Sequence, residues 1–185
     1  MDRSEALSLM EKHLESEALR RHCLASELVM RALALRLGKD EAEAGRWGVL
    51  GLLHDLDYAE TENNPELHGL KTVEYLADQD FTPGELLAIK RHNAEMLGLG
   101  RETELDLALT CGEVVTGLIA AAALVQPDKK IASVKPASAV KKMKDKGFAR
   151  SVNRDHIRLC EQVGLPLAEF MELAVSAMTA LDGDN

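Results

Sequence analysis

The apolar run Val49-Leu50-Gly51-Leu52-Leu53 ends in His54-Asp55, which sets an imidazole and a carboxylate side by side against a hydrophobic wall. An unpartnered carboxylate there is strongly disfavoured, so Asp55 needs a cation, a hydrogen-bond donor or a solvated cleft. A bound metal would satisfy both residues at once. Three further histidines, His22 upstream and His68 and His92 downstream, each fall in a different predicted helix, a distribution that favours convergence on one site. Imidazole and carboxylate donors without thiolate favour Mn, Fe, Zn, Ni or Mg, as one or two divalent ions. Such ions generate hydroxide from bound water near neutral pH and stabilise charge on phosphoryl oxygens.

The elements that must position these residues are helices. Helical spacing of apolar residues recurs along the chain, and stop signals cut it into about nine segments. A first helix is expected near Ser4 to Leu14. A second, near Glu17 to Leu37, carries His22 and stops at Gly38. Asp40 caps a third, which delivers His54-Asp55 at its C-terminal end before the turn-prone stretch Asp57 to Asn64. Asn64-Pro65 reads as the start of a fourth helix with His68 in its first turn. Thr82-Pro83-Gly84-Glu85 is a capping box for a fifth, placing His92 near its end. The sixth and longest, from about Glu102 to Val125, carries Glu113 among apolar neighbours. Pro136, Gly147, Asn153 and Gly164-Leu165-Pro166 divide the remainder into three shorter helices, and the terminal Asp182-Gly183-Asp184-Asn185 is expected to fray.

Composition agrees with an all-α protein, since only 3% of residues are aromatic and the core must come from Leu, Ala, Val and Met. The longest apolar run, Val114 to Val125, is too short to span a bilayer, and no basic leader opens the chain, so a cytoplasmic protein without membrane contact is expected. Cys23, Cys111 and Cys160 lack metal-type spacing and read as small core residues. The formal charge of −9 is unevenly spread: residues 127–158 hold ten Lys or Arg against three Asp or Glu, a local +7 that leaves −16 elsewhere. That segment is either a solvated face or an attractor of a phosphate-bearing ligand. The acidic remainder argues against nucleic acid as a partner.

The ordered set His22, His54-Asp55, His68, His92 and Glu113 resembles the signature of the HD-domain superfamily of metal-dependent phosphohydrolases, from about residue 18 to 125. In addition, Gly117-Leu118-Ile119 with Lys129-Lys130 and Ser138-Ala139-Val140-Lys141-Lys142 resemble the tail of a bacterial HD-type hydrolase subgroup of uncharacterised substrate. The resemblance implies an HD-domain-like compact helical bundle with a metal site between helices. Residues 1–126 would form the catalytic core and 127–185 a helical C-terminal extension packed on it, one compact domain overall.

By the same resemblance, His22, His54, Asp55 and Glu113 would hold a first ion and His68 and His92 a second, with Asp55 bridging at the catalytic centre. The last ligand of the family is usually Asp; this chain offers Glu113, one methylene longer, or Asp106, seven residues earlier on the same helical face. The implied reaction is hydrolysis of a phosphate ester or anhydride in a small phosphorylated substrate, a nucleotide being one candidate, by a metal-activated water. Some HD-fold mixed-valent di-iron oxygenases share the His and Asp order, and a degenerate module binding a nucleotide or partner without catalysis is a third reading. Phosphoryl oxygens need positive charge in the transition state, which nominates Lys71 and Arg91 as catalytic cations. Asp57 is placed to orient a ligand or to cap the loop. His13 and His156 lie outside the set.

Overall fold

The computed structural model describes residues 1–183, and within them the chain is helical throughout. The helices are α1 (Arg3–His13), α2 (Glu17–Arg36), α3 (Glu41–Leu53), α4 (Tyr58–Thr61), α5 (Leu70–Tyr75), α6 (Pro83–His92), α7 (Ala94–Leu97), α8 (Glu104–Leu124), α9 (Pro136–Lys142), α10 (Arg154–Ile157) and α11 (Leu167–Met178). Four 3₁₀ turns join them, at Pro65–Leu67, Ile131–Ser133, Arg158–Glu161 and Thr179–Gly183. Side-chain caps set most of the long helices. Ser16, Asp40, Thr82 and Thr103 accept backbone N–H groups at the starts of α2, α3, α6 and α8, which satisfies donors that a helix leaves orphaned.

Helix α8 runs through the middle. It has the length and hydropathy to cross a membrane, but 61% of its most apolar window is buried inside the protein, as befits a central core helix. Helices α2, α6 and α11 pack around it, and α3 lies along α2 in the most extensive helix pairing of the fold. The reason for that closeness is Gly51: a Cβ there would come within 2.6 Å of the Ser26 carbonyl oxygen. Gly112 plays the same part between α8 and α2, where a Cβ would lie 2.8 Å from the Met30 sulfur. The three cysteines are free and buried. Phe170, Met171, Ala174 and Met178 of α11 join the same hydrophobic core as α2 and α8.

Two expectations need correction. His68 is not in the first turn of a helix: Asn64 makes no side-chain cap, Pro65–Leu67 is a single 3₁₀ turn, and His68 is extended. The helix begins only after Gly69, whose φ of +85° only glycine adopts without strain. A Cβ on Gly69 would also press within 3.1 Å of the Ile89 carbonyl oxygen. The second correction is at the C terminus. Asp182 does not fray; its carboxylate accepts the backbone N–H groups of Ile131 at 3.0 Å and Ala132 at 2.8 Å, tying the chain end to the 3₁₀ turn after α8. Asp184 and Asn185 lie outside the described residues.

Candidate metal centre

Five separate segments bring six donor side chains to one place. His22 comes from the second turn of α2, His54 and Asp55 from the C-terminal end of α3, His68 from the extended link before α5, His92 from the last residue of α6, and Glu113 from the middle of α8. Two groups of three donor atoms, each group within 4.8 Å, result: His22, His54 and Glu113, and Asp55, His68 and His92. Asp55 sits between the two groups. Its Oδ1 lies 3.3 Å from His54 Nε2, 3.3 Å from His68 Nε2 and 3.6 Å from His92 Nε2, while its Oδ2 lies 3.5 Å from His22 Nε2. Glu113 Oε2 approaches His22 Nε2 at 3.9 Å, so the longer side chain reaches the cluster.

Every imidazole is held from behind by its Nδ1. His54 donates to the Gly51 carbonyl at 2.8 Å, His92 to the Ile89 carbonyl, and His68 to Asp57 Oδ1 at 2.8 Å. His22 Nδ1 meets Thr116 Oγ1 at 2.9 Å, and since the Thr116 hydroxyl donates to the Glu113 carbonyl at 2.6 Å, His22 must be the donor. With each Nδ1 carrying its proton, all four Nε2 lone pairs point inward. His22 Nε2 and His54 Nε2 then face each other at 3.2 Å, and His68 Nε2 and His92 Nε2 at 2.8 Å. Two bare nitrogen lone pairs at that separation repel unless a proton or a cation stands between them. Ring orientation by an outer partner is how proteins fix metal-binding histidines, and the all-nitrogen-and-oxygen donor set fits a divalent ion.

The electrostatics agree. Burial lowers the imidazole pKa of His22 to about 4 and of His92 to about 3, so both are neutral near pH 7, the metal-binding form. Burial acts downward on His68 too, but hydrogen bonds to Asp55 and Asp57 outweigh it and raise that group to about 10. Asp55 is held well below the ordinary carboxylate range: burial opposes this, and the imidazoles of His54, His68 and His22 overcome it. Burial and the nearby Asp55 carboxylate push Glu113 well above its usual value. A dication held by these residues would reverse that local balance, allowing Asp55 and Glu113 to be ionised together and displacing the proton from His68.

The other nominated residues go elsewhere. Lys71 pairs with Glu60 at 2.8 Å near the surface, since α5 turns it away from His68. Arg91 diverges from His92 by the helical twist and is buried against Asp106 at 2.8 Å and Glu102 at 2.6 Å, leaving its charge committed within the fold. Asp106 is not in either donor group; its Oδ2 also accepts the N–H groups of Glu102 and Thr103, closing the N-terminal cap of α8. Asp57 is fully buried and does both things the sequence suggested: it orients His68, and its Oδ2 accepts the N–H groups of Gly69 and Thr72. His13 stacks on Tyr75, and His156 pairs with Glu95.

Sequence reasoning missed Thr116 and Arg101. Thr116 lies three residues after Glu113, the spacing that puts two residues on one helix face, and this was the available signal. Arg101 donates to the His92 carbonyl at 2.9 Å and to Thr110 Oγ1 at 2.8 Å, fastening the end of α6 to α8.

An all-α bundle that gathers four histidines, an aspartate and a glutamate between its helices is a candidate metalloprotein. The HD domain family model matches residues 19–124, more than half of the chain, and the protein belongs to that family. No curated protein and no solved structure matches the chain.

Proposed function

We propose that this HD-domain protein is a phosphohydrolase with a two-ion centre, acting on a phosphate ester or anhydride. The observation that carries the reading is the set of four Nε2 atoms turned toward Asp55, each ring fixed through Nδ1. His22, His54 and Glu113 would hold one ion, His68 and His92 the other, and Asp55 both. Metal ions supply hydroxide by lowering the pKa of bound water from about 15.7 toward 7, and they neutralise charge on phosphoryl oxygens. The chain's own part is to hold the donors in place and to keep His22 and His92 neutral. No protein nucleophile is required. Burial of α8 in the core and the acidic surface are consistent with a cytoplasmic enzyme for a small substrate.

The test is metal content followed by a phosphatase assay. Protein reconstituted with Mn or Fe should hold two equivalents, release phosphate from p-nitrophenyl phosphate, and lose more than about 100-fold in kcat/KM in His54→Ala and Asp55→Ala while its helical circular dichroism persists. Oxygen uptake by the reduced iron form without phosphate release would replace this reading with the di-iron oxygenase. Retained ligand binding with neither activity would leave a binding module.

A further inference from the structure

His22 is the most open of the six donors, with 25% of its side chain exposed, against 1% for His54 and 5% for His92. A cavity of about 530 Å³, a volume suited to a small organic ligand, lies against His22, the one donor of the six that lines it. His22 and Thr116 line one end and Lys129 and Lys130 the other. Between them it follows α8 from Thr116 to Leu124, a length of about 12 Å at 1.5 Å per helical residue. The long wall is mostly aliphatic, formed by Ala25, Ala120, Ala123, Ile131, Met178 and Leu181, with Arg21 reaching the Leu181 carbonyl, and no Phe, Tyr or Trp lines it among the described residues.

The far end carries two lysines, Lys129 and Lys130, and two carboxylates, Asp128 and Asp182, that the fold itself engages. Asp182 is committed to the Ile131 and Ala132 N–H groups, and Asp128 to the Lys130 N–H and the Ser133 hydroxyl. Among the described residues the lysines that form ion pairs are Lys39 and Lys71; Lys129 and Lys130 form none, although the Ser133 hydroxyl and, with it, Lys130 help to hold the Asp128 carboxylate below its ordinary range. Lys129 also holds a left-handed backbone, φ +56°, unusual for a residue with a side chain and set by the tight turn that ends α8. Beyond the His22 imidazole at one end, a nucleobase would find no ring to stack on along the wall. An aliphatic chain meets an apolar wall along α8, and an anion at its end meets the Lys129 and Lys130 ammonium groups, the two nearby carboxylates being engaged by backbone N–H groups and the Ser133 hydroxyl.

We propose that this cavity is the leaving-group pocket and that the substrate is an aliphatic phosphate ester with a second anionic group at its far end, the phosphate at the histidine cluster and the second anion at Lys129 and Lys130. This rests on the hydrolase reading above. In the reaction, water oxygen bonds to phosphorus, the bond from phosphorus to the ester oxygen breaks, and the aliphatic alcohol departs with a proton, leaving inorganic phosphate.

The experiment uses the full-length Mn-loaded protein with hexyl phosphate, omega-carboxyhexyl phosphate and adenosine monophosphate. The carboxylated ester should exceed hexyl phosphate in kcat/KM at least tenfold, and both should exceed the nucleotide. Lys129→Ala with Lys130→Ala should reduce that advantage to about onefold. Ala120→Phe fills the cavity from an exposed helix position, so it should fold and raise KM for the carboxylated ester more than tenfold. Calorimetric binding of the non-hydrolysable omega-carboxyhexylphosphonate, lost in Ala120→Phe, gives a readout that does not need turnover. If no ester is cleaved but this binding is seen, the hydrolase reading falls and the pocket stands. Absent phosphonate binding, or turnover of adenosine monophosphate equal to that of the carboxylated ester, would overturn the pocket assignment.

Discussion

Thr116 and Asp57 are the residues through which the two halves of the cluster can be addressed separately. Thr116 accepts from His22, in the group with His54 and Glu113; Asp57 accepts from His68, in the group with Asp55 and His92. Loss of such an outer partner costs metal proteins about 10–100-fold in affinity. Thr116→Val, which keeps the shape and removes the acceptor, should weaken one ion by that factor and leave the other, and Thr116→Ser should restore it. Asp57→Asn should do the reverse. Stepwise metal titration of the two variants reads this directly; identical losses at both ions in both variants would refute the division. The six side chains that meet were legible in the sequence through their order, the His54-Asp55 doublet flanked by His22, His68, His92 and Glu113, which resembles the HD signature, since a single helix-face histidine more often has another role. Thr116 was not, since a hydroxyl becomes informative only when the helix packing shows which ring it meets. Lys71 and Arg91 failed for a related reason: nearness to a histidine along the chain says nothing about which helix face a cation occupies.

At the scale of elements, glycines decide how near the histidine-bearing helices come. Gly51 and Gly45 share α3, one jammed against the Ser26 backbone and the other with nothing within 4 Å of a new Cβ. Gly45→Ala should therefore stabilise the protein by about 0.5–1 kcal/mol, because alanine costs less conformational entropy in a helix. Gly51→Ala gains the same propensity but forces α3 off α2, with a net cost of about 1–3 kcal/mol from overpacking. It should also weaken metal binding, since His54 follows three residues later and hydrogen-bonds the Gly51 carbonyl. Urea melts and metal titrations of the two variants check both signs; a stabilising Gly51→Ala would sink the close-approach account. Capping signals made the starts of α3 and α6 readable to within a residue or two. The fourth predicted helix failed because Asn64-Pro65 has the local grammar of a helix start. The buried Asp57 carboxylate, by taking the Gly69 and Thr72 N–H groups, places the true start later.

Across the whole molecule the cluster acts as a potential cross-link. Its donors lie between residues 22 and 113 and tie α2, α3, the link before α5, α6 and α8 to a single point. A ligand that binds only the folded chain stabilises it by RT ln(1 + [L]/Kd), about 2.7 kcal/mol at a hundredfold excess over Kd. At roughly 2–4 °C per kcal/mol for a chain of this size, removing metal with a chelator should lower Tm by about 5–10 °C, and adding it back should restore the loss. Asp55→Ala, lacking the shared donor, should melt at a temperature that metal no longer moves. The pH dependence has a definite sign. In the metal-free protein His68 carries a proton because its pKa is raised to about 10, and Glu113, also raised, tends to keep one. Metal must displace those protons, so binding releases acid and is opposed by it. The metal-induced rise in Tm should accordingly shrink as pH falls from about 8 to about 6, and proton release on metal addition should be visible in weakly buffered solution. A rise that grows on acidification, or a Tm indifferent to metal at every pH, would mean that these six side chains are held together by proton sharing alone.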